Sequence, residues 1–185
     1  MTKQKSLAVY CGHQFGTNPQ FEKDAIRIGE LIAKNDIKLV FGGGKTGLMG
    51  AVAGSVLDHG GKAVGITTHH VIALQEPLLK GLTESEIVHG INERKQRMYE
   101  LSDAFCIAPG GFGTLNELTD ILTMQQVGES KKPIYFLNTD GFWNIFGRVF
   151  AHMNRAGFIS PRAEYNIKLF SYPEDLITAY LKDHE

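Results

Sequence analysis

The chain has little of several things, and each shortage excludes a class of protein. Nineteen Lys and Arg against twenty Asp and Glu leave a formal net charge of −1 over 185 residues. No basic field is available to track nucleic acid or an anionic membrane, so neither is expected as a partner. A phosphate-bearing ligand would have to be held locally. No apolar stretch approaches the roughly 20 residues that span a bilayer, and the first apolar run, residues 6–11, is too short for a signal-peptide core. There are only two cysteines, Cys11 and Cys106. Both lie in apolar runs that read as buried strands, so a reduced, packed pair in a cytoplasmic protein is expected. Adjacent His69 and His70 have no further ligand cluster at metal-binding spacing, so no metal is expected.

Repeats, low-complexity tracts and linkers are also missing. With 43% apolar residues, the chain suits one domain over residues 1–185 with a full-sized core. What is present is alternation. Short apolar runs at 6–11, 37–41, 62–67, 104–108, 132–138 and 167–170 read as strands, and 85–90 as a further short one. Between them lie helical patterns. Asn18-Pro19 starts one as cap and first residue, with Phe21, Ala25, Ile28 and Ile32 on its buried face. Others fall near 48–56, 92–101, 114–127, 142–155 and 173–182, while 68–85 reads as irregular. Continuous apolar strands alternating with helices predict an α/β fold: a doubly wound parallel sheet, Rossmann-like, with ligands beyond the carboxyl ends of the strands.

Two glycine loops fall at such ends. The first, "GGGKTG" (42–47), formally fits the dinucleotide fingerprint, but the next strand ends "GITTHH" with no acid for a ribose. It is no P-loop either, because position 39 is Leu39 where that motif needs glycine. Either a tight turn or a backbone site for an anion or ribose, with Gly43 and Gly44 on its rim, accounts for it. The second, "PGGFGTLNE" (109–117), is stronger. Gly110, Gly111 and Gly113 feed a helix N-terminus, whose free N–H groups and dipole favour an anion, and Thr114 adds a hydroxyl.

Glu117 has two readings. Thr114-x-x-Glu117 fits a capping box. It also fits a carboxylate left free for chemistry beside a bound phosphate. In "INERKQRMYEL" (91–101), Arg94 lies in the apolar stripe of Ile91, Met98 and Leu101. An inward arginine needs an anionic partner or a lined cavity, so it is a structural ion pair, a snorkelling side chain, or the partner of Glu117 or a ligand oxygen.

These motifs, "ERK" (93–95) with "PGGFGTLNE", resemble those of the LONELY GUY family, cytokinin riboside 5′-monophosphate phosphoribohydrolases once described as possible lysine decarboxylases. The resemblance runs in order through "CGHQFGTNP" (11–19), "FGGGKTGLMG" (41–50), "QQVG" (125–128), "KKPI" (131–134), "LNTDGFW" (137–143) and "GFI" (157–159). It implies a homodimer that hydrolyses the N-glycosidic bond of an adenosine 5′-monophosphate, often N6-substituted, to free base and ribose 5-phosphate, without a cofactor. It implies a catalytic pair, Arg94 and Glu117. It implies substrate contacts at Glu76, Lys95 and Thr123, and along the run Gly110, Gly111, Phe112, Gly113, Thr114, Leu115 and Asn116. Departures are His13 and Gln14 for small serines, Ile91-Asn92 for Met-His, Met124 for tryptophan and Asn116 for an acid. They bear on base preference more than on reaction class. His13, at the rim, is either a phosphate contact or a solvated loop residue. No lysine with a partner for a pyridine nitrogen stands out, so the decarboxylase label finds no support. A non-hydrolytic nucleotide or molybdenum-cofactor carrier, or a broader nucleoside 5′-monophosphate nucleosidase, are the alternatives on the same fold.

Overall fold

The computed structural model describes residues 4–74 and 78–185. Within them run β1 (Ser6–Tyr10), α1 (Pro19–Lys34), β2 (Lys38–Phe41), α2 (Gly47–Asp58), β3 (Lys62–Thr68), α3 (His69–Leu74), β4 (Glu84–Val88), α4 (Ile91–Glu100), β5 (Ala104–Ile107), α5 (Phe112–Gln126), β6 (Ile134–Leu137), α6 (Asn144–Arg155), β7 (Ile167–Phe170) and α7 (Pro173–Asp183). The strands form a single parallel sheet in the order β4-β3-β2-β1-β5-β6-β7. This is the doubly wound α/β fold expected from the alternation.

The strand pattern explains the layers. Every residue of β1, β5 and β6 is buried, so both faces of the sheet must be covered. Leu7, Val9 and Cys11 pack with α1, α2 and α7, whereas Ala8 and Tyr10 pack on the other face with Met98 of α4 and Leu118 of α5. Each large aliphatic side chain so buried contributes about 1.5–3 kcal/mol. The cap on α1 is as read: Asn18 Oδ1 accepts from Gln20 N at 2.9 Å. Gly29 lets α1 close on α2, for a Cβ there would overlap the Val52 carbonyl and lie 2.8 Å from Ser55 Cβ.

The sheet order reverses at β1, which lies between β2 and β5. A crevice opens at such a reversal. Ala108 N donates to Tyr10 O at 3.0 Å and Gly12 N to Pro109 O at 2.9 Å. The loops after β1 and β5 therefore leave the sheet side by side.

Three elements differ from expectation. Helix α3 occupies part of the stretch that read as irregular. Before α6, a 3-10 turn over Thr139–Gly141 takes up the chain, and the helix proper begins at Asn144. Most consequential is α5, which begins at Phe112 and not at 114. Gly111 takes the capping position with no side-chain bond, and Thr114 becomes the third helical residue, buried at 2% exposure. Among the described residues, no helix is long and apolar enough to cross a membrane.

Candidate active site

A cavity of about 650 Å³ lies over the carboxyl ends of β1, β2 and β5, walled by residues 12–16, Gly42, Gly44, Arg94, residues 109–114, Glu117 and Phe142. Its floor and its polar groups come from separate elements, and each is placed for a local reason.

Helix α5 presents its N-terminus to this cavity without a side-chain cap. The helix has 15 residues, enough for a full dipole at that end. Its first bond back is Leu115 N to Gly111 O at 3.0 Å, leaving the N–H groups of the first turn pointed at the cavity end. Gly110 must be glycine here, since a Cβ would overlap Thr114 Oγ1 and lie 3.0 Å from Gly12 N.

The first glycine loop has another duty. The N-terminus of α2 is covered by the loop after β1: Met49 N donates to Gly12 O at 3.3 Å and Thr46 Oγ1 to His13 O at 3.2 Å. Gly47, at φ 60°, allows that approach, because a Cβ would lie only 2.5 Å from Gln14 N. Gly44 lines the cavity. Gly43, at φ 81°, turns its carbonyl to accept from Leu79 N at 3.0 Å. Gly42 lies against the Arg94 guanidinium.

Arg94, on α4, is 8% exposed. Its Nε donates to Ile66 O at 2.8 Å and its Nη1 to Glu117 Oε1 at 3.1 Å. Glu117 is the sixth residue of α5, too far along to reach back to the capping position. Its carboxylate turns across to Arg94 instead, and the capping-box reading is overturned. Burial pushes the Glu117 carboxyl up to about 7; Arg94 and then Lys95 pull it down and Asp120 raises it, but desolvation prevails. With its side chain 10% exposed, Glu117 is a carboxyl poised to exchange a proton near neutral pH. Tyr10, beneath it, has its hydroxyl held well above the usual range by burial and then by Glu117, so it stays protonated.

A second cavity of about 240 Å³ lies behind the pair and shares Tyr10 and Glu117 with the first; Asn92, Lys95, Tyr99, Asp120 and Met124 complete much of its wall. Lys95 Nζ meets Asn116 Oδ1 at 2.7 Å and Asp120 Oδ2 at 2.5 Å. Lys95 and Asn116 thus sit on the α4–α5 side and not at the α5 N-terminus. Leu115 packs into the core beneath α5. Phe112, 91% exposed, and His13 line the main cavity. Thr123 is exposed, bonded to Thr119 O at 2.8 Å, and lines neither cavity. Glu76 lies outside the described residues. Sequence reasoning missed Tyr10, Gly42, Asn92 and Asp120. Only Tyr10 had a usable signal, as the last strand residue before the Cys11-Gly12 turn. Among the described residues, no group of three His, Cys, Asp or Glu side chains could hold a metal ion.

A family model described as "Possible lysine decarboxylase" matches residues 49–180. A cytokinin riboside 5′-monophosphate phosphoribohydrolase of Rhodococcoides fascians is 35% identical over 175 residues, 95% of this chain and 88% of that protein. One from Arabidopsis thaliana is 36% identical over 86% of this chain and 73% of its own. Among solved structures, the molybdenum cofactor binding protein of Rippkaea orientalis aligns over all of both chains with a TM-score of 0.77 at 21% identity. The molybdenum cofactor carrier protein of Chlamydomonas reinhardtii covers 97% of this chain and 98% of its own, with a TM-score of 0.72 at 16% identity. At those identities the two structures speak to the fold alone.

Proposed function

Since the chain belongs to the LONELY GUY family of cytokinin riboside 5′-monophosphate phosphoribohydrolases, we propose that it hydrolyses the N-glycosidic bond of adenosine 5′-monophosphates, N6-substituted or plain. The products are the free base and ribose 5-phosphate. The observation that carries this reading is the Arg94–Glu117 pair at 3.1 Å, in a cavity also walled by the uncapped N-terminus of α5.

The 5′-phosphate rests on the N–H groups of the first turn of α5, with Gly111, Phe112, Gly113 and Thr114 around it. Binding energy from that remote group holds the ribose in register. As the bond from C1′ to the base nitrogen lengthens, the sugar gains oxocarbenium character. The Glu117 carboxylate stabilises that charge and takes a proton from the attacking water, whose oxygen bonds to C1′. The base leaves with the bonding electrons and takes up a proton. Arg94 aims Glu117 and favours its ionised form. Lys95 and Asn116 contact the substrate from the α4–α5 side. Thr123 and Glu76 remain assigned by resemblance.

A homodimer in the cytoplasm, with no nucleic acid or membrane as partner, belongs to the same reading. For the dimer, the support is the apolar face of α6, where Ile145, Val149 and Met153 are exposed at every fourth residue.

The test is release of ribose 5-phosphate and base from AMP, N6-isopentenyl-AMP, GMP and CMP. Release from the adenine nucleotides is expected. Comparable rates with GMP and CMP would make the protein a broader nucleosidase. Tight binding without release would refute hydrolysis and favour a carrier.

A further inference from the structure

We propose that Gly42 is a positioning residue: the space its missing side chain leaves is the seat of the Arg94 guanidinium, and this seat aims Arg94 at Glu117. A Cβ on Gly42 would overlap Arg94 Nη2 and lie 3.3 Å from Arg94 Cζ and 3.0 Å from Met49 Sδ. Backbone conformation does not demand glycine there. Gly42 is not among the residues of positive φ, whereas its neighbour Gly43 is. The requirement is one of space.

The guanidinium is a rigid planar fork, so its three edges are set together. Nε is tied to the Ile66 carbonyl in the C-terminal half of β3, Nη1 to Glu117, and Nη2 occupies the Gly42 notch. Filling the notch displaces Nη2 and tips the whole fork, taking Nη1 off Glu117. The atoms that a methyl group would meet are the ends of the Arg94 and Met49 side chains and not backbone. The fold accommodates alanine by moving Arg94, and the damage falls on the site. Five groups face Glu117: Arg94 and Lys95 from α4, Asp120 from its own helix, Tyr10 from β1, and Cys11 just after that strand. Of these only Arg94 contacts Gly42, so the other four keep their places.

The inference rests on the hydrolase reading for its rate measurement alone. The test compares Gly42→Ala with Gly54→Ala, where a Cβ meets nothing within 4 Å. The first readout is the titration of the Glu117 carboxyl in the free protein, followed by NMR of side-chain carbon-13 label. Gly42→Ala should raise its midpoint by about one pH unit or more, because the nearest cation has moved away. The second is kcat/KM for AMP, expected to fall on the order of 100-fold for a misaligned pair. Gly54→Ala should change neither. In an Arg94→Lys background, adding Gly42→Ala should have little further effect, since lysine has no second arm to collide. If Gly42→Ala folds poorly, the double variant Gly42→Ala/Met49→Ala removes the sulfur contact and keeps the collision with Arg94. An unchanged Glu117 midpoint in a folded variant overturns the inference. A shifted midpoint in a protein that hydrolyses no nucleotide upholds it and sinks the hydrolase reading instead.

Discussion

Glu117→Gln separates a chemical carboxylate from a structural one through stability and turnover measured together. Burial raises the Glu117 carboxyl from 4.5 to about 7, a difference of about 2.5 pH units, or about 3 kcal/mol at about 1.4 kcal/mol per unit. The folded protein binds this proton more tightly than the unfolded chain. Its contribution to stability is therefore complete below about pH 4.5 and is lost as the pH rises through about 7. Glutamine is neutral throughout and keeps an oxygen for Arg94. The variant should exceed the parent by about 1 kcal/mol or less at pH 5 and by about 3 kcal/mol at pH 8. For a chain of this size that is roughly 6–12 °C in melting temperature. Over the same range AMP turnover should fall by about 100- to 10,000-fold, the loss typical of a removed general base, while AMP binding changes little. Thermal melts at both pH values with a turnover assay decide it. A variant that keeps activity and is no more stable than the parent at pH 8 would refute the assignment, because glutamine serves a capping box as well as glutamate does.

Three other outcomes follow from the same geometry. Gly110→Ala should destabilise the protein by about 1–3 kcal/mol in urea unfolding and raise KM for AMP, because a Cβ there overlaps Thr114 Oγ1; Gly111→Ala, which meets nothing within 4 Å, should be nearly neutral in stability. If the α5 N-terminus anchors the phosphate, inorganic phosphate should compete with AMP, and adenosine should react with kcat/KM at least about 10-fold lower; equal rates for adenosine and AMP would remove the anchor. Burial raises both free thiols, Cys106 to about 12 and Cys11 well above the usual range, so iodoacetamide at pH 8 should leave the native protein unlabelled and modify it only when unfolded.

Much of the fold was legible because β1, β5 and β6 are buried on both faces and so read as unbroken apolar runs. Arg94 was legible because a charge stands out in an apolar helical stripe. Two features misled. Thr114-x-x-Glu117 has the spacing of a capping box, yet Gly111 takes the capping position three residues earlier, and the Thr114 hydroxyl packs on Gly110. A glycine needs no side-chain signature to start a helix, so the motif looked like the start. The triple glycine loop looked like a second anion cradle, but the turn after β1 covers the neighbouring helix end. That cover comes from a loop about thirty residues away in sequence, and local pattern cannot register it. Nor can it register the second cavity, whose wall residues Asn92 and Asp120 are brought together only when α4 packs beside α5.

The most direct test of the Arg94–Glu117 site is a crystal structure of the Glu117→Gln variant with AMP bound. The 5′-phosphate should lie on the N–H groups of the first turn of α5, with C1′ of the ribose beside the residue-117 carboxamide and Arg94 still on the Ile66 carbonyl. A nucleotide whose phosphate sits elsewhere, or whose C1′ lies well beyond reach of residue 117, would contradict the account.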